Sequence, residues 1–230
     1  PENTLLALQA AIDAGADAIE LDVQFCQDGT PVVFHDPTLE RVTGQPGQLR
    51  ELTVEDLQRF SAHEPARFGD RFQGTPISTL AEVVDALRDG PPQVLVFVEI
   101  KRETLPRHAI PQAVQRVLEL CRPLGERAVI ISFDDTVVQQ TRSLGKSEVG
   151  WVLSDWSPAG QDRLETLQPD YVFVDIDLLP PPGTPLWRGP WQWAVYEVND
   201  WRQAQDLAER GLGWIETRAV EAMVKGRQAG

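Results

Sequence analysis

The sequence predicts a (β/α)₈ barrel, and three observations predict it. Short strand-like segments alternate with helical segments along most of the 230 residues, the signature of a parallel sheet, open or closed. So many units on one chain favour closure into a barrel. Ionisable residues also gather at the ends of several strand segments, where a barrel carries its chemistry.

The elements follow in order. Asn3 or Thr4 caps a helix that runs through Ala14, with Leu5, Leu8 and Ile12 on one face and Gly15 as its stop. Asp17 to Val23 is a strand of period two, placing Ile19, Leu21 and Val23 on one face and Glu20 and Asp22 on the other. Thr79-Leu80-Ala81-Glu82 is a capping box opening a helix that ends at Gly90. Val94 to Lys101 reads as a buried strand, and Ile110 to Cys121 as a helix with Pro111 at its start. Ala128 to Phe133, Val149 to Leu153, Tyr171 to Asp175, Trp193 to Val198 and Gly213 to Thr217 are further strands. Helices are predicted ending near Gly145, around Ala159 to Leu167, over Asp200 to Arg210, and from about Ala219. Two regions break the rhythm. Residues 37 to 78 hold only a short helix near Thr53 to Phe60, and a loop of that length is usually functional. Leu178 to Trp191 is proline-rich where a helix is expected, and should wrap the surface.

Composition narrows the function. The net charge of −14 argues against nucleic acid or an anionic membrane surface as partner. Any anionic substrate would need a local positive centre. No stretch approaches the roughly 20 apolar residues of a membrane span. Cys26 and Cys121 read as core thiols, with no zinc spacing. No signal peptide is visible and a cytoplasmic location is expected, although the chain opens on Pro1, so a cleaved signal stays open.

The strand ends carry the candidate chemistry. Glu20 and Asp22 share a strand face roughly 7 Å apart. Either that face is a solvated edge, or a cation lies between two carboxylates that are costly to bury. Glu99 and Lys101 share a face of their strand, as an internal ion pair or as part of a site. Asp28-Gly29 signals a two-residue hairpin. Folding about it pairs Gln27 with Thr30 and sets Asp22 opposite His35. The alternative is a parallel strand reached by a crossover without a helix; the two differ in whether Gln24 opposes Val33. Three carboxylates without clustered cysteines or histidines make a hard oxygen site, suited to Mg²⁺ or Ca²⁺. His35 suits acid–base work near neutrality, or is simply satisfied by Asp36.

These residues also carry a family resemblance. Pro1-Glu2-Asn3-Thr4, Gly15 to Val23, Asp28-Gly29-Thr30-Pro31-Val32-Val33-Phe34-His35-Asp36 and Val98-Glu99-Ile100-Lys101 resemble the glycerophosphodiester phosphodiesterase family. Ile131-Ser132-Phe133-Asp134 and Tyr196-Glu197-Val198-Asn199 resemble its later strands more loosely. The resemblance implies a single TIM-barrel domain over residues 1–230, with residues 37 to 78 inserted after His35. It implies that Glu20, Asp22 and Glu99 bind one divalent metal, that His35 is one of two acid–base histidines, and that Lys101 contacts phosphate. Tyr196 would line the alcohol side of the substrate or pack in the core. Glu2 would support the metal from behind or merely open a helix. The implied reaction splits a glycerophosphodiester into glycerol 3-phosphate and an alcohol.

The sequence departs from the family at its start. The family carries a His-Arg-Gly motif on the first strand, just before the Pro-Glu-Asn-Thr segment, and these residues begin beyond it. The expectation is a chain given without its first strand, rather than an inactive enzyme. His63, in the insertion and expected to face solvent, and His108, expected as a capping or surface residue, are poor substitutes for the partner histidine. Two rivals remain: a phospholipase-D-like activity on lysophospholipids, marked by an apolar groove at the rim, and a non-catalytic binding domain.

Overall fold

The computed structural model describes residues 1–105, 109–145 and 148–229; His108 lies outside them. Helix α1 (Leu5–Asp13) is capped by Thr4, whose hydroxyl accepts from the Ala7 amide. It leads into β1 (Ala18–Phe25), which turns back antiparallel into β2 (Pro31–Val33). Short helices α2 (Glu40–Thr43), α3 (Val54–Leu57) and α4 (Pro65–Phe68) occupy the stretch that follows. Then come α5 (Leu80–Leu87), β3 (Leu95–Ile100), α6 (Ile110–Cys121), β4 (Ala128–Ser132), α7 (Asp135–Leu144), β5 (Val149–Leu153), α8 (Pro158–Leu167) and β6 (Tyr171–Asp175). The chain finishes with β7 (Gln192–Tyr196), α9 (Trp201–Glu209), β8 (Trp214–Ile215) and α10 (Val220–Ala229).

The strands form one curled sheet in the order β2-β1-β3-β4-β5-β6-β7-β8. Every pairing from β1 through β8 is parallel, and only β2 runs against its neighbour. Seven staves of a TIM-type barrel are therefore present among the described residues, with β2 outside the parallel order. Period-two alternation sorts the side chains. Leu21, Val23, Val96, Val98 and Ile100 pack outward against α5 and α6. Phe97, Ile131, Val152, Tyr171, Phe173 and Ala194 form an inner apolar core, with Trp214 against it. The Phe97 ring meets Tyr171, Phe173 and Trp214 edge-on at 5.1, 5.0 and 5.8 Å, the geometry that the ring quadrupole favours.

The hairpin departs from its sequence-based register. Gln24 opposes Val32 rather than Val33, so Asp22 does not oppose His35. The loop has three residues, not two. Cys26 N donates to Thr30 O, Gly29 N donates to Cys26 O, and Gly29 takes φ +76°. That is a turn closed by a left-handed glycine bulge, which shifts pairing by one residue. The antiparallel hairpin itself stands, in place of the crossover.

Residues 37–78 contain no strand, as expected, but four helical turns rather than one, counting the 3₁₀ turn Leu49–Glu51. Leu39, Val42, Leu49 and Leu57 bury against Cys26, Val32 and Phe34 of the hairpin, so the segment has its own small core. Cys26 and Cys121 are free buried thiols. Between β6 and β7 the proline-rich strap runs exposed over the surface. Trp156 stacks on Trp187 at 4.1 Å and lies 5.5 Å from Trp193, covering the sheet where a helix is expected. No helix among the described residues is long and apolar enough to cross a membrane.

Candidate active site

The inner face changes character along the strands. Ala18 and Phe97 belong to the apolar core, but two residues further along β1 and β3 the same face carries Glu20 and Glu99, then Asp22 and Lys101. The parallel register sets Asp22 beside Glu99. Carboxylate oxygens of Glu20, Asp22 and Glu99 lie within 4.8 Å of one another. Lys101 Nζ sits 3.3 Å from Asp22 Oδ1 and 3.1 Å from Glu99 Oε1, its side chain only 10% exposed. Glu20 Oε1 is buried with no hydrogen-bond partner. Such an orphan is costly and wants a positive partner. Three carboxylates, Glu20 among them, can hold a hard divalent cation.

The electrostatics match this crowding. Burial, then the Asp22 charge, raises the Glu20 carboxyl well above the usual range. Burial pushes Glu99 up to about 7, with Lys101 pulling against it. Glu216 was not singled out from the sequence. It follows β8 on the inner face shared with Trp214, and its carboxyl is pushed up to about 8 by burial and then by Asp22 and Glu99. The signal was the alternation Trp214-Ile215-Glu216.

Asn3 was also missed as a site residue. It adopts φ +53°, and its amide nitrogen donates to Asp22 Oδ2 at 2.7 Å while its oxygen accepts from the Asp22 amide at 2.9 Å. That two-point contact fixes the carboxylate's direction. The Glu2 carboxylate pairs with Arg41 of α2, and its amide donates to Glu64.

Despite the shifted register, His35 reaches the rim. Its Nε2 lies 3.5 Å from Lys101 Nζ and its Nδ1 2.6 Å from Asp36 Oδ1. Gln24, fully buried, donates to the His35 carbonyl at 2.8 Å and accepts from the Thr104 hydroxyl at 2.7 Å. Tyr196 ends β7, half-buried against the inner core, and its hydroxyl is raised by burial and then by the Asp175 and Glu99 charges. His63 is half-buried rather than solvent-facing, because its Nδ1 bonds the Ser61 carbonyl at 2.8 Å.

The sequence profile described as "Glycerophosphoryl diester phosphodiesterase family" matches residues 1–221. The chain belongs to this family. Glycerophosphodiester phosphodiesterase 1 of Homo sapiens is 29% identical over 78% of the chain and 54% of its own length. A glycerophosphodiester phosphodiesterase of Caldanaerobacter subterraneus subsp. tengcongensis is 34% identical over 63% of the chain and 57% of its own length. The chain thus spans about half the length of the curated relatives it matches. Among solved structures, an Oleispira antarctica phosphodiesterase in complex with the product sn-glycerol-3-phosphate superposes with TM-score 0.80 at 20% identity, over 99% of this chain and 92% of that one. The glycerophosphodiester phosphodiesterase of Thermotoga maritima gives 0.71 at 24% identity, over 97% and 91%. At these identities the likeness establishes the shared fold.

Proposed function

We propose that this family member hydrolyses glycerophosphodiesters to glycerol 3-phosphate and an alcohol with the help of one bound divalent cation. The observation that carries the reading is the meeting of three carboxylates, Lys101 and His35 at one rim, with a buried Glu20 oxygen left unpaired. The names of the relatives, and the product bound in the Oleispira antarctica structure, support it.

Glu20, Asp22 and Glu99 would hold Mg²⁺ or Ca²⁺. The ion would neutralise phosphate charge as it builds in the transition state. Lys101 gives the positive centre that a chain of net charge −14 otherwise lacks, and binds phosphate oxygens. His35 Nε2 takes the proton from the attacking hydroxyl as the new P–O bond forms. The P–O bond to the leaving alcohol breaks as its oxygen takes a proton from the second acid–base histidine that the family resemblance implies, and His35 later gives up its proton, so that one water is added in all, hydroxyl to phosphorus and hydrogen to the alcohol. Tyr196 lines the alcohol side. Glu2 lends support through Arg41, and residues 37–78 act as an insertion within one domain of residues 1–230.

The test is glycerophosphocholine cleavage by the full-length protein in EDTA, Mg²⁺ and Ca²⁺. Glycerol 3-phosphate is expected only with a divalent ion, and none with either ion overturns the reading. His35→Ala with an unchanged rate removes the role given to that residue.

A further inference from the structure

His35 lies between two neighbours, each able to play only one hydrogen-bonding part. Asp36 Oδ1 is 2.6 Å from Nδ1, and an ionised carboxylate only accepts, so Nδ1 carries the hydrogen. Lys101 Nζ is 3.5 Å from Nε2, and an ammonium only donates, so Nε2 presents its lone pair. Both neighbours therefore select the same neutral tautomer.

The Asp36 carboxylate is itself clamped. Arg41 Nε donates to Oδ2 at 2.7 Å and Nη2 donates to Oδ1 at 2.9 Å, a two-point fork. The same Nη2 reaches the Glu2 carboxylate. Burial alone would raise the Asp36 carboxyl; hydrogen bonds from Arg41 and His35 outweigh it and hold it below its ordinary range. The His35 side chain is 49% exposed. At such a site a single His–Asp bond competes with water, and a rotating carboxylate would release the ring. From the other side, the backbone of His35 is tied to Gln24 and Thr104.

We propose that Arg41, contributed by the segment after the hairpin, is a positioning residue: it locks Asp36 so that His35 keeps its hydrogen on Nδ1 and turns Nε2 toward Lys101 and the carboxylates. The tautomer follows from contacts alone, whereas the benefit to catalysis rests on the phosphodiesterase reading. Lysine cannot replace the clamp fully, because an ammonium lacks the planar fork.

The test compares Arg41→Met, Arg41→Lys and Asp36→Asn with the unaltered sequence, all in the full-length protein, by ¹⁵N-histidine NMR and by steady-state cleavage of glycerophosphocholine. The unaltered chain is expected to show His35 with hydrogen on Nδ1. Arg41→Met should mix the two tautomers and lower kcat about 10-fold, part of what an acid–base group contributes, with KM unchanged. Arg41→Lys should fall between, and Asp36→Asn should lose the Nδ1–H preference outright. A folded Arg41→Met or Arg41→Lys variant with the original tautomer and kcat overturns the proposal. A raised KM with constant kcat also overturns it, since that marks direct substrate contact. If the unaltered full-length protein cleaves nothing, the phosphodiesterase reading fails separately. The NMR comparison then decides the clamp alone: a mixed tautomer in Arg41→Met supports it, and an unchanged one refutes it.

Discussion

The two halves of the curled sheet solve opposite problems. At β1 and β3 the inner face ends in buried carboxylates around one lysine, an arrangement that costs stability unless a cation completes it. At β5 to β7 the outer face carries tryptophans under a proline-rich strap, an arrangement that gains stability from apolar burial. Both lie on strands of the same parallel sheet. One half is held by apolar packing and the other carries charge on its inner face, so the two should respond to substitution in opposite ways.

The largest effect expected is on the tryptophan side. Trp193 is 6% exposed, and its indole nitrogen donates to the Trp187 carbonyl at 3.3 Å. Trp193→Ala should lower unfolding free energy by about 3–5 kcal/mol, with kcat per folded molecule unchanged, measured by urea denaturation beside the cleavage assay. On the charged side the order reverses. Glu99→Gln should lower kcat by about 100-fold or more, the scale on which a transition-state charge contact acts. Its metal-free melting temperature should hold or rise, because one member of a like-charged group is neutralised. If Glu99→Gln melts far lower and Trp193→Ala loses turnover instead, the division between the halves is wrong.

The pH response sharpens the same contrast. Glu99 is raised from 4.5 to about 7 and Glu216 from 4.5 to about 8. An acid raised in the folded state binds its proton more tightly there than in the unfolded chain. Its contribution is therefore fully present below about pH 4.5 and is lost as pH climbs through 7 and 8. The slope is at most about 1.4 kcal/mol per pH unit for each proton. The metal-free melting temperature should fall between pH 5 and 8, and Mg²⁺ or Ca²⁺ should raise it most at pH 8, where ligands are ionised. A metal-free protein that grows more stable over this range contradicts the burial of these two acids.

Much of this was legible because period and capping are local. Thr79 with Glu82 predicts the start of α5, and the capping box is present in both directions. Ile19 to Val23 predicts which face of β1 carries acids. The hairpin register was not legible to one residue: Asp28-Gly29 is compatible with a two- or a three-residue loop, and only the left-handed Gly29 with the Cys26–Thr30 pairing decides. Asn3 was hidden because its role depends on a left-handed backbone angle beside a helix cap, where helix capping is the usual expectation. Glu216 lay inside the predicted Gly213 to Thr217 strand, but a single acid there reads equally well as a solvated strand end, and only its burial beside Asp22 and Glu99 marks it.

The smallest effect expected isolates burial as the variable. Glu197 and Arg218 form an ion pair near the ends of β7 and β8, with side chains 51% and 57% exposed. Lys101 pairs with Asp22 and Glu99 at 10% exposure. Chemistry is similar in the two cases, but water screens only the first. Arg218→Ala should therefore change unfolding free energy by less than about 1 kcal/mol, and less still at high salt. Lys101→Met should cost more and stay insensitive to salt, because it strands buried carboxylates without a counter-charge. Urea denaturation of both variants in low and high salt separates the cases. Equal losses for the two would mean that charge at the Lys101 rim is as solvated as charge at the Arg218 rim, and the unpaired Glu20 oxygen would then have no call on a cation.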